Sequence, residues 1–322
     1  MSNRPILELR AAIRTRLRGV FDATGFVEVD TPTLSREVLP EAHIDPVVVQ
    51  LDGPHDRRYL QASPEALMKR LLAAGGGPMY QFSRSFRAGE RGAQHDVEFV
   101  LLEWYAPGTG LDEAAALVER LCAVALGTSG LDRLTCTAAF GMHAGIDPVS
   151  ASLADLMDAG RRAGVGAPES HHRVPPDAVG RAALWDRWFE CLLAEVVQPR
   201  LGHGRPTMLE AWPASQAAFA RLDADDARIA RRFEVFVAGV ELANGWEEET
   251  SRDVLAERIA TANRARAADG RGPLPVPTRL LDAHGPGMPA GVGAALGFDR
   301  LVMLAAGADS IDAVRPFTSA DA

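Results

Sequence analysis

The 322-residue chain is expected to form an α/β (α+β) fold, in which a mixed, mainly antiparallel sheet is flanked by helices. Three observations predict this fold. Strand-like runs occupy residues 26–105 and 207–297, helical patterns lie between and after them, and 47% of the residues are hydrophobic. A chain of this length and composition can bury a large core. We expect one domain over residues 1–322, with a mainly helical insertion at about 111–200.

The first elements are a helix, several short strands and a second helix. Apolar residues recur at helical spacing near the start, and Gly25 ends this helix. "FVEVDTP" then predicts a strand that Pro32 ends, and "DPVVVQL" and "RYLQA" predict two more. "SPEALMKRLLAAGGG" predicts a helix with Ser63 as its cap and Pro64 as its first residue.

Two hairpins and a glycine-rich strand follow. "FSRSFRAGERGAQHDVEFVLLEWY", residues 82–105, predicts two strands joined by a charged loop. "RRFEVFVAGVELANG" predicts a second hairpin that turns at Ala238 and Gly239. Ser251 to Ala268 is expected to be a charged helix, and "GVGAALGFDRLVMLAAG" a strand that leads into a helix.

Charge and cysteine content narrow the class of protein. The net charge is −9, which disfavours a large nucleic-acid footprint. The three cysteines show no CxxC spacing, which argues against a disulfide framework or a structural zinc site. The chain has neither a signal-peptide core nor an apolar run of about 20 residues. We therefore expect a cytoplasmic protein that does not contact a membrane.

The first hairpin carries candidate binding groups. Strand parity places Arg87 on one face of the first run, and Phe99, Glu103 and Tyr105 on one face of the second. If the two faces coincide, one wall of the hairpin holds a cation, an aromatic ring, a carboxylate and a phenol. The alternative is an Arg–Glu pair on a solvated face. The sequence leaves both open because it does not fix the strand register.

The second hairpin places two carboxylates among core-type residues. Glu234 and Glu241 are interleaved with phenylalanines and valines. Buried carboxylates need cations, and a divalent metal shared with phosphate groups is one solution. Salt bridges to Arg231 or Arg232 are the alternative.

The glycine-rich strand leads to an arginine at the start of a helix. In "GAALGFDRLVML", Asp299 is a suitable helix cap, but Arg300 falls in the first turn, where the helix dipole disfavours a cation. A bound anion would explain this arginine, since helix starts bind phosphate. Gly291, Gly293 and Gly297 would leave room for a flat ligand against the backbone. A simple Asp–Arg pair is the alternative.

Together these stretches resemble the three signature motifs of the class II aminoacyl-tRNA synthetases. "GFVEVDTP" resembles motif 1, "FSRSFR…HDVEFVLLEWY" motif 2 and "GFDRLVML" motif 3, and the similarity runs from about residue 6 to 317. The resemblance implies the class II catalytic domain. It also implies a homodimer that forms through the motif 1 helix and strand.

Within this class the chain resembles the lysyl group, through "SPEALMKRLL", "RFEVFVAGVELANGW" and "LEWY". We expect no anticodon-binding domain, since the chain begins almost at the motif 1 helix. That pattern is similar to the truncated lysyl-tRNA synthetase paralogues that modify elongation factor P. Those enzymes activate (R)-β-lysine with ATP and transfer it to a lysine side chain of the factor. The resemblance therefore implies an ATP-dependent ligase, with lysine or β-lysine and elongation factor P as substrates.

Two other functions stay open. One is aminoacylation of tRNA, which the acidic composition and the expected lack of an anticodon-binding domain disfavour. The other is a catalytically weak paralogue that binds an amino acid or a nucleotide and has a regulatory role.

Ser63 stands where lysyl-tRNA synthetases resemble one another in having alanine, and Ala295 stands where they have glycine. Both positions line the family's amino-acid pocket, so they would reshape it for a shifted amino group.

The resemblance assigns a role to individual residues. Arg87 would bind the substrate carboxylate and the α-phosphate, Arg300 the γ-phosphate, and Phe99 would stack on adenine. Glu234 and Glu241 would carry Mg²⁺. The complete ATP-binding set implied is Arg87, Gly89, Glu90, His95, Asp96, Phe99, Glu241, Leu242, Gly297 and Arg300.

The amino-acid site implied by the resemblance is rich in carboxylates, which would surround the two ammonium groups of a diamino acid. Asn244 would donate a hydrogen bond to the substrate carboxylate. The complete set is Ser63, Pro64, Glu65, Glu103, Tyr105, Asn244, Trp246, Glu248 and Ala295.

Three departures from the family pattern accompany these roles. Gly89 stands where the family has a glutamate that recognises adenine, and Glu90 follows it. Asp96 stands where the family has an asparagine, and Trp246 replaces a usual phenylalanine. Two of the three departures, Gly89 and Asp96, fall at positions that the resemblance assigns to ATP binding.

Overall fold

The computed structural model describes residues 4–53, 56–168 and 177–322. Tertiary contacts divide the chain into two units, of which the first comprises Met1–Gly127 and Glu247–Ala322 and the second Thr128–Trp246. The single domain over 1–322 with an insertion at about 111–200 stays a prediction. Within the described ranges, no helix has both the length and the apolar character that crossing a bilayer requires.

The described chain contains both helices and strands. In order they are α1 (Arg4–Asp22), β1 (Val27–Glu28), β2 (Leu34–Ser35), β3 (Val47–Gln50), β4 (Arg57–Leu60), α2 (Glu65–Ala73), β5 (Met79–Phe86), β6 (Glu98–Pro107), α3 (Leu111–Leu126), β7 (Asp132–Thr135), α4 (Cys136–Ala144), α5 (Leu153–Ala163), α6 (Ala178–Leu192), β8 (Thr207–Pro213), β9 (Ile229–Val237), β10 (Val240–Glu247), α7 (Arg252–Ala268), α8 (Thr278–Ala283), β11 (Gly291–Gly297) and α9 (Phe298–Ala305).

In the first unit, β5, β6 and β11 form an antiparallel run, and β1 pairs with β5 in parallel. Successive residues of β6 point to opposite faces. Leu102 and Trp104 are fully buried, and Trp104 meets Phe21 of α1 at a ring-centroid distance of 5.9 Å. The other face of β6 carries Glu103 and Tyr105. A smaller sheet pairs β4 with β2 and β3.

In the second unit, β8 pairs with β9 and β9 with β10, both antiparallel, while β7 runs parallel to β8. Helices α4 and α6 pack over an aromatic core, in which Phe140 stacks on Phe189 with centroids 4.8 Å apart. The predicted turn of the second hairpin is confirmed. Ala238 and Gly239 both adopt positive φ, at 49° and 76°, as a two-residue hairpin turn requires.

The observed sheets confirm a mixed, mainly antiparallel architecture flanked by helices. Helices α3, α4, α5 and α6 all fall within the helix-rich stretch that the sequence predicts, although α3 belongs to the first unit. One boundary differs slightly from expectation. Helix α2 begins at Glu65, with Pro64 at its N-cap, and Ser63 Oγ accepts a hydrogen bond from the Glu65 N–H at 3.3 Å.

Candidate active site

An acidic cluster, defined as Glu65, Lys69, Glu103, Tyr105 and Glu248, lies buried in the first unit. The first two are one turn apart on α2, and the next two lie on the same face of β6. Glu248 follows β10, and its N–H donates to Gly291 O at 2.8 Å, which holds it beside β11. These elements therefore bring four of the residues predicted for the amino-acid pocket together.

Lys69 is the cation of the cluster. Its Nζ lies 2.6 Å from Glu65 Oε1 and 2.6 Å from Glu248 Oε2, and its side chain is 2% exposed. Burial alone would lower the pKa of Lys69, but the charges of Glu248 and Glu65 outweigh burial and raise it. Lys69 therefore stays protonated at neutral pH.

Glu103 has an incomplete set of partners. Tyr105 Oη donates to Glu103 Oε1 at 2.7 Å, whereas Glu103 Oε2 is buried and makes no hydrogen bond to any described residue. Burial, and then the negative charges of Glu65 and Glu248, raise the pKa of Glu103 well above 4.5. Burial, and then the negative charges of Glu103, Glu65 and Glu248, raise the pKa of Tyr105 well above 10. These shifts mark a place where positive charge is missing.

The charges within the cluster do not balance. Three carboxylates face one ammonium group, and each of these four groups is at least nine-tenths buried. An uncompensated buried charge costs several kcal/mol. A ligand that brings cationic groups would remove this cost, so the cluster suits a ligand with more than one ammonium group.

Glycine and alanine on β11 shape this pocket. A Cβ at Gly293 would lie 2.2 Å from Glu248 Oε1 and 2.5 Å from Tyr105 Cε1, so only glycine fits. A Cβ at Gly291 would lie 2.4 Å from the carbonyl oxygen of Ala106. The room expected for a flat ligand at these two glycines is thus filled by the chain itself. Ala295 pairs directly with Glu103, so its methyl group lies on the same face as that carboxylate.

Arg87 lies against Phe99, as expected if the two faces of the first hairpin coincide. Its Cζ is 5.1 Å from the Phe99 ring centroid and its Nη1 is 3.7 Å from Glu90 Oε2. Arg87 Nε is buried and donates to no described residue, so it has a hydrogen bond to offer an anion. Gly89 has φ 78°, a conformation that suits glycine and not the glutamate expected from the family.

Arg300 occupies the first turn of α9, as expected. Its Nε donates to Gln94 O at 3.3 Å, and its Nη2 lies 2.7 Å from His95 Nε2. Because arginine can only donate, His95 Nε2 is the acceptor in this hydrogen bond. Asp299 is not the helix cap that the sequence suggests. Gly297 takes that position, and Asp299 accepts from the Val100 N–H and pairs with Arg10 instead.

Asp96 faces the end of the chain, although the family resemblance places it in the ATP site. Its side chain is fully buried and pairs with Arg315 and Ser319. Hydrogen bonds from Ser319 and Val97, together with Arg315, outweigh the effect of burial and lower the pKa of Asp96. This acid is therefore satisfied by the protein itself.

The remaining predicted residues belong to the second unit. Glu241 pairs with Phe236, which lies two residues from Glu234 on β9, so Glu241 and Glu234 lie on one face of the hairpin. A bulge between Glu241 and Ala243 shifts the register of the pairs that follow. Leu242 is the buried bulge residue. Asn244 pairs with Glu234 across the strands, and Trp246 lies 6.2 Å from the Phe219 ring.

Two carboxylates on one face are a donor set that Mg²⁺ accepts when phosphate or water oxygens complete its shell. Glu234 already accepts from Arg232, whose Nε also donates to Asn244 Oδ1 at 3.3 Å. This is the salt bridge that the sequence offered as the alternative. Among the described residues, no group of three or more acidic, histidine or cysteine side chains could hold a metal. The pair therefore fits Mg²⁺ only as a shared site.

Lys69 is the one cluster member that sequence reasoning missed. A signal was present, because Glu65, Lys69 and Leu72 share one helical face, and Leu72 marks that face as buried. A lysine on an apolar face, four residues after a glutamate, indicates a buried ion pair.

Comparison with known proteins gives consistent matches. The family model described as "tRNA synthetases class II (D, K and N)" matches residues 1–321. A protein of Erwinia tasmaniensis is 39% identical over 313 residues, 96% of this chain and 93% of that protein. One of Enterobacter sp. (strain 638) is 39% identical over 318 residues, 98% of this chain and 95% of its own. Both relatives are named "Elongation factor P--(R)-beta-lysine ligase".

Proposed function

Because the chain belongs to the class II tRNA synthetase family, we propose that it is an ATP-dependent ligase acting on (R)-β-lysine and elongation factor P. It would form a β-lysyl adenylate and transfer the β-lysyl group to a lysine side chain of the factor. The names of the relatives support this choice of substrates. The single observation that carries the proposal is the charge imbalance of the acidic cluster.

The cluster lacks two positive charges when its three carboxylates are ionised. A diamino acid such as lysine or β-lysine brings two ammonium groups and so restores the balance. An amino acid with an apolar side chain would bring only one ammonium group, and one carboxylate of the cluster would stay uncompensated. The pocket therefore discriminates by charge, because leaving a buried charge unpaired costs several kcal/mol.

The two arginines supply the chemistry of activation. The substrate carboxylate attacks the α-phosphorus of ATP, and pyrophosphate leaves. Arg87, whose Nε makes no hydrogen bond to a described residue, would bind the carboxylate and stabilise the charge that develops on the α-phosphate. Arg300, in the first turn of α9, would hold the γ-phosphate. The amine of the acceptor lysine then attacks the adenylate carbonyl and releases AMP.

Other parts of the proposal rest on the family resemblance. Phe99 would stack on adenine, and Glu234 and Glu241 would hold Mg²⁺, which when bound neutralises charge on the triphosphate and on the leaving pyrophosphate. A homodimer that forms through α1 and β1, and a place in the cytoplasm, belong to the same proposal.

The test is ATP–pyrophosphate exchange with (R)-β-lysine, α-lysine and norleucine. Norleucine lacks only the side-chain ammonium group of lysine. We expect exchange with both lysine isomers and none with norleucine, and equal exchange with norleucine would refute the charge argument. The Arg300→Ala variant is the negative control, since losing one preorganised donor costs about 3–4 kcal/mol.

The acceptor is tested separately. Purified elongation factor P and total tRNA are offered to the enzyme with radiolabelled β-lysine and ATP. We expect label on the factor and none on tRNA. Labelled tRNA with an unlabelled factor would assign the chain to aminoacylation instead.

A further inference from the structure

The buried carboxylate of Asp96 joins two segments that are remote in sequence. The motif 2 loop, defined as residues 87–97, contains Asp96, and the C-terminal segment, defined as residues 310–322, contains its partners. Asp96 Oδ2 accepts from the Ser319 N–H at 2.9 Å and pairs with Arg315. Asp96 Oδ1 accepts from the Val97 N–H at 2.9 Å and from the Ser319 hydroxyl. Both oxygens are thus fully used.

Further contacts join the same two segments. Arg91 forms a bidentate pair with Asp312, at 3.0 and 2.6 Å. The Ile311 N–H donates to Ala93 O at 2.8 Å. The C-terminal segment has its own local order, because Asp321 Oδ1 accepts from the Thr318 N–H at 2.6 Å and so closes a turn around Ser319. The loop is therefore held at several points along its length.

The neighbours of Asp96 in the loop contact both arginines of the proposed chemistry. On one side, His95 Nε2 accepts from Arg300 at 2.7 Å. On the other, Val97 O accepts from the Arg87 N–H at 2.9 Å. A shift of Asp96 would therefore move His95, which contacts the guanidinium group of Arg300, and Val97, which holds the backbone of Arg87.

We propose that Asp96, Arg315 and Ser319 form a clasp through which the C-terminal segment positions the motif 2 loop for ATP. The inference rests on the proposed function, because the clasp acts on the nucleotide site of that reaction. Its three members are positioning residues, which act through His95 and Val97. A buried carboxylate without partners is strongly destabilising. Asp96 is tolerated because Arg315 and Ser319 supply its ion pair and hydrogen bonds.

The clasp is tested with Arg315→Gln, Asp96→Asn and the double variant. Arg315→Gln removes the nearer cation and leaves the buried charge of Asp96 with Arg91, whose Nε lies 3.9 Å from Asp96 Oδ1. We expect the KM for ATP to rise about tenfold while the KM for β-lysine changes less than about twofold. The double variant replaces the ion pair with two neutral amides, and we expect it to recover most of the loss. Arg264→Gln is the matched control, because Arg264 pairs with Glu257 on the exposed side of α7.

The dissociation constant of ATP is measured by calorimetry on the same proteins, so the test does not depend on turnover. An unchanged affinity for ATP in Arg315→Gln would overturn the inference. An equal rise in the KM for ATP and the KM for β-lysine, in proportion to the fall in melting temperature, would also overturn the inference, because that pattern indicates general destabilisation. Wild-type protein that binds ATP but exchanges no pyrophosphate would refute the proposed function. The calorimetric comparison of ATP affinity between wild type and Arg315→Gln would still test the clasp.

Discussion

Glu103 and Asp96 are two buried carboxylates of the same unit with opposite surroundings. Both are at most 2% exposed. Asp96 accepts hydrogen bonds at both oxygens and pairs with Arg315, whereas Glu103 Oε2 accepts none from the described residues. The pKa of Asp96 is lowered and that of Glu103 is raised. Burial acts in the same direction on both, so the difference comes from their partners.

The comparison separates a structural acid from a binding acid. A carboxylate with a full set of donors stabilises the fold in its charged form. A buried carboxylate that lacks donors destabilises the fold when it is charged, and a cationic ligand recovers that energy. By this criterion the fold itself satisfies Asp96, and we propose that Glu103 binds the substrate; the family resemblance assigns both residues to the active site.

Removing the internal cation should have the largest effect. In Lys69→Met, Glu65 and Glu248 lose the ammonium group 2.6 Å from each of them. We expect the free energy of unfolding to fall by about 3–5 kcal/mol. Because the pocket then lacks more positive charge, added lysine should raise the melting temperature more than it does in wild type. Arg70→Met, which removes a charge from the next residue of α2, is the control, and an equal loss there would contradict this role of Lys69.

Neutralising the binding acid should come next. Glu103→Gln keeps the shape and the hydrogen bond from Tyr105 but removes the charge, so kcat/KM for lysine should fall roughly 150-fold, about 3 kcal/mol. The stability of Glu103→Gln should instead rise relative to wild type. The pKa of Glu103 is raised in the folded protein, so its ionisation lowers stability as pH rises above 4.5. Thermal unfolding between pH 5 and 8.5 should show Glu103→Gln gaining on wild type as pH rises, and a constant difference would contradict this account.

Neutralising the structural acid should give the reverse pH dependence. The pKa of Asp96 is lowered, so its contribution is present above the ordinary aspartate pKa of 3.8 and is lost as pH falls through the folded value. Asp96→Asn should therefore cost about 1–3 kcal/mol at pH 7 and progressively less in acid. Denaturant titrations at pH 7 and in the acidic range measure this. A cost that does not shrink in acid would mean that Asp96 acts by shape and not by charge.

The first hairpin was the most predictable part of the site. Strand parity places Arg87 on one face of the first strand and Phe99, Glu103 and Tyr105 on one face of the second, but it leaves open whether the two faces coincide. The observed pairing of Ser85 with Phe99 shows that they do. Local periodicity identifies the residues of each face because the hairpin is built from neighbouring residues, whereas the register between its strands comes from the structure. Family and fold class were likewise predictable, because three ordered motifs carry the resemblance and the family match confirms it.

The partners of Asp96 were not predictable. Arg315 lies 219 residues away in sequence, and a contact of that range leaves no periodic pattern. Sequence reasoning therefore assigned Asp96 to the ligand suggested by the family position. The prediction that Gly291 and Gly293 of β11 leave room for a flat ligand was wrong for a related reason. Glycine signals close approach, but the sequence does not say whether the approaching group is a ligand or, as at Gly293, the side chains of Glu248 and Tyr105.

The smallest expected effect concerns the preference of the enzyme for one isomer of lysine over the other. The methyl group of Ala295 lies on the same face as Glu103, directly across the strand pair. One methylene-sized change in a pocket is worth about 1–3 kcal/mol of discrimination. We expect β-lysine to be activated at least tenfold more efficiently than α-lysine, about 1.4 kcal/mol, and Ala295→Gly to narrow that ratio. Ala294→Gly is the matched control, because Ala294 pairs with Trp104 on the opposite face. Pyrophosphate exchange with both isomers measures the ratio, and an unchanged ratio in Ala295→Gly would show that Ala295 does not select the isomer, even if Glu103 binds both.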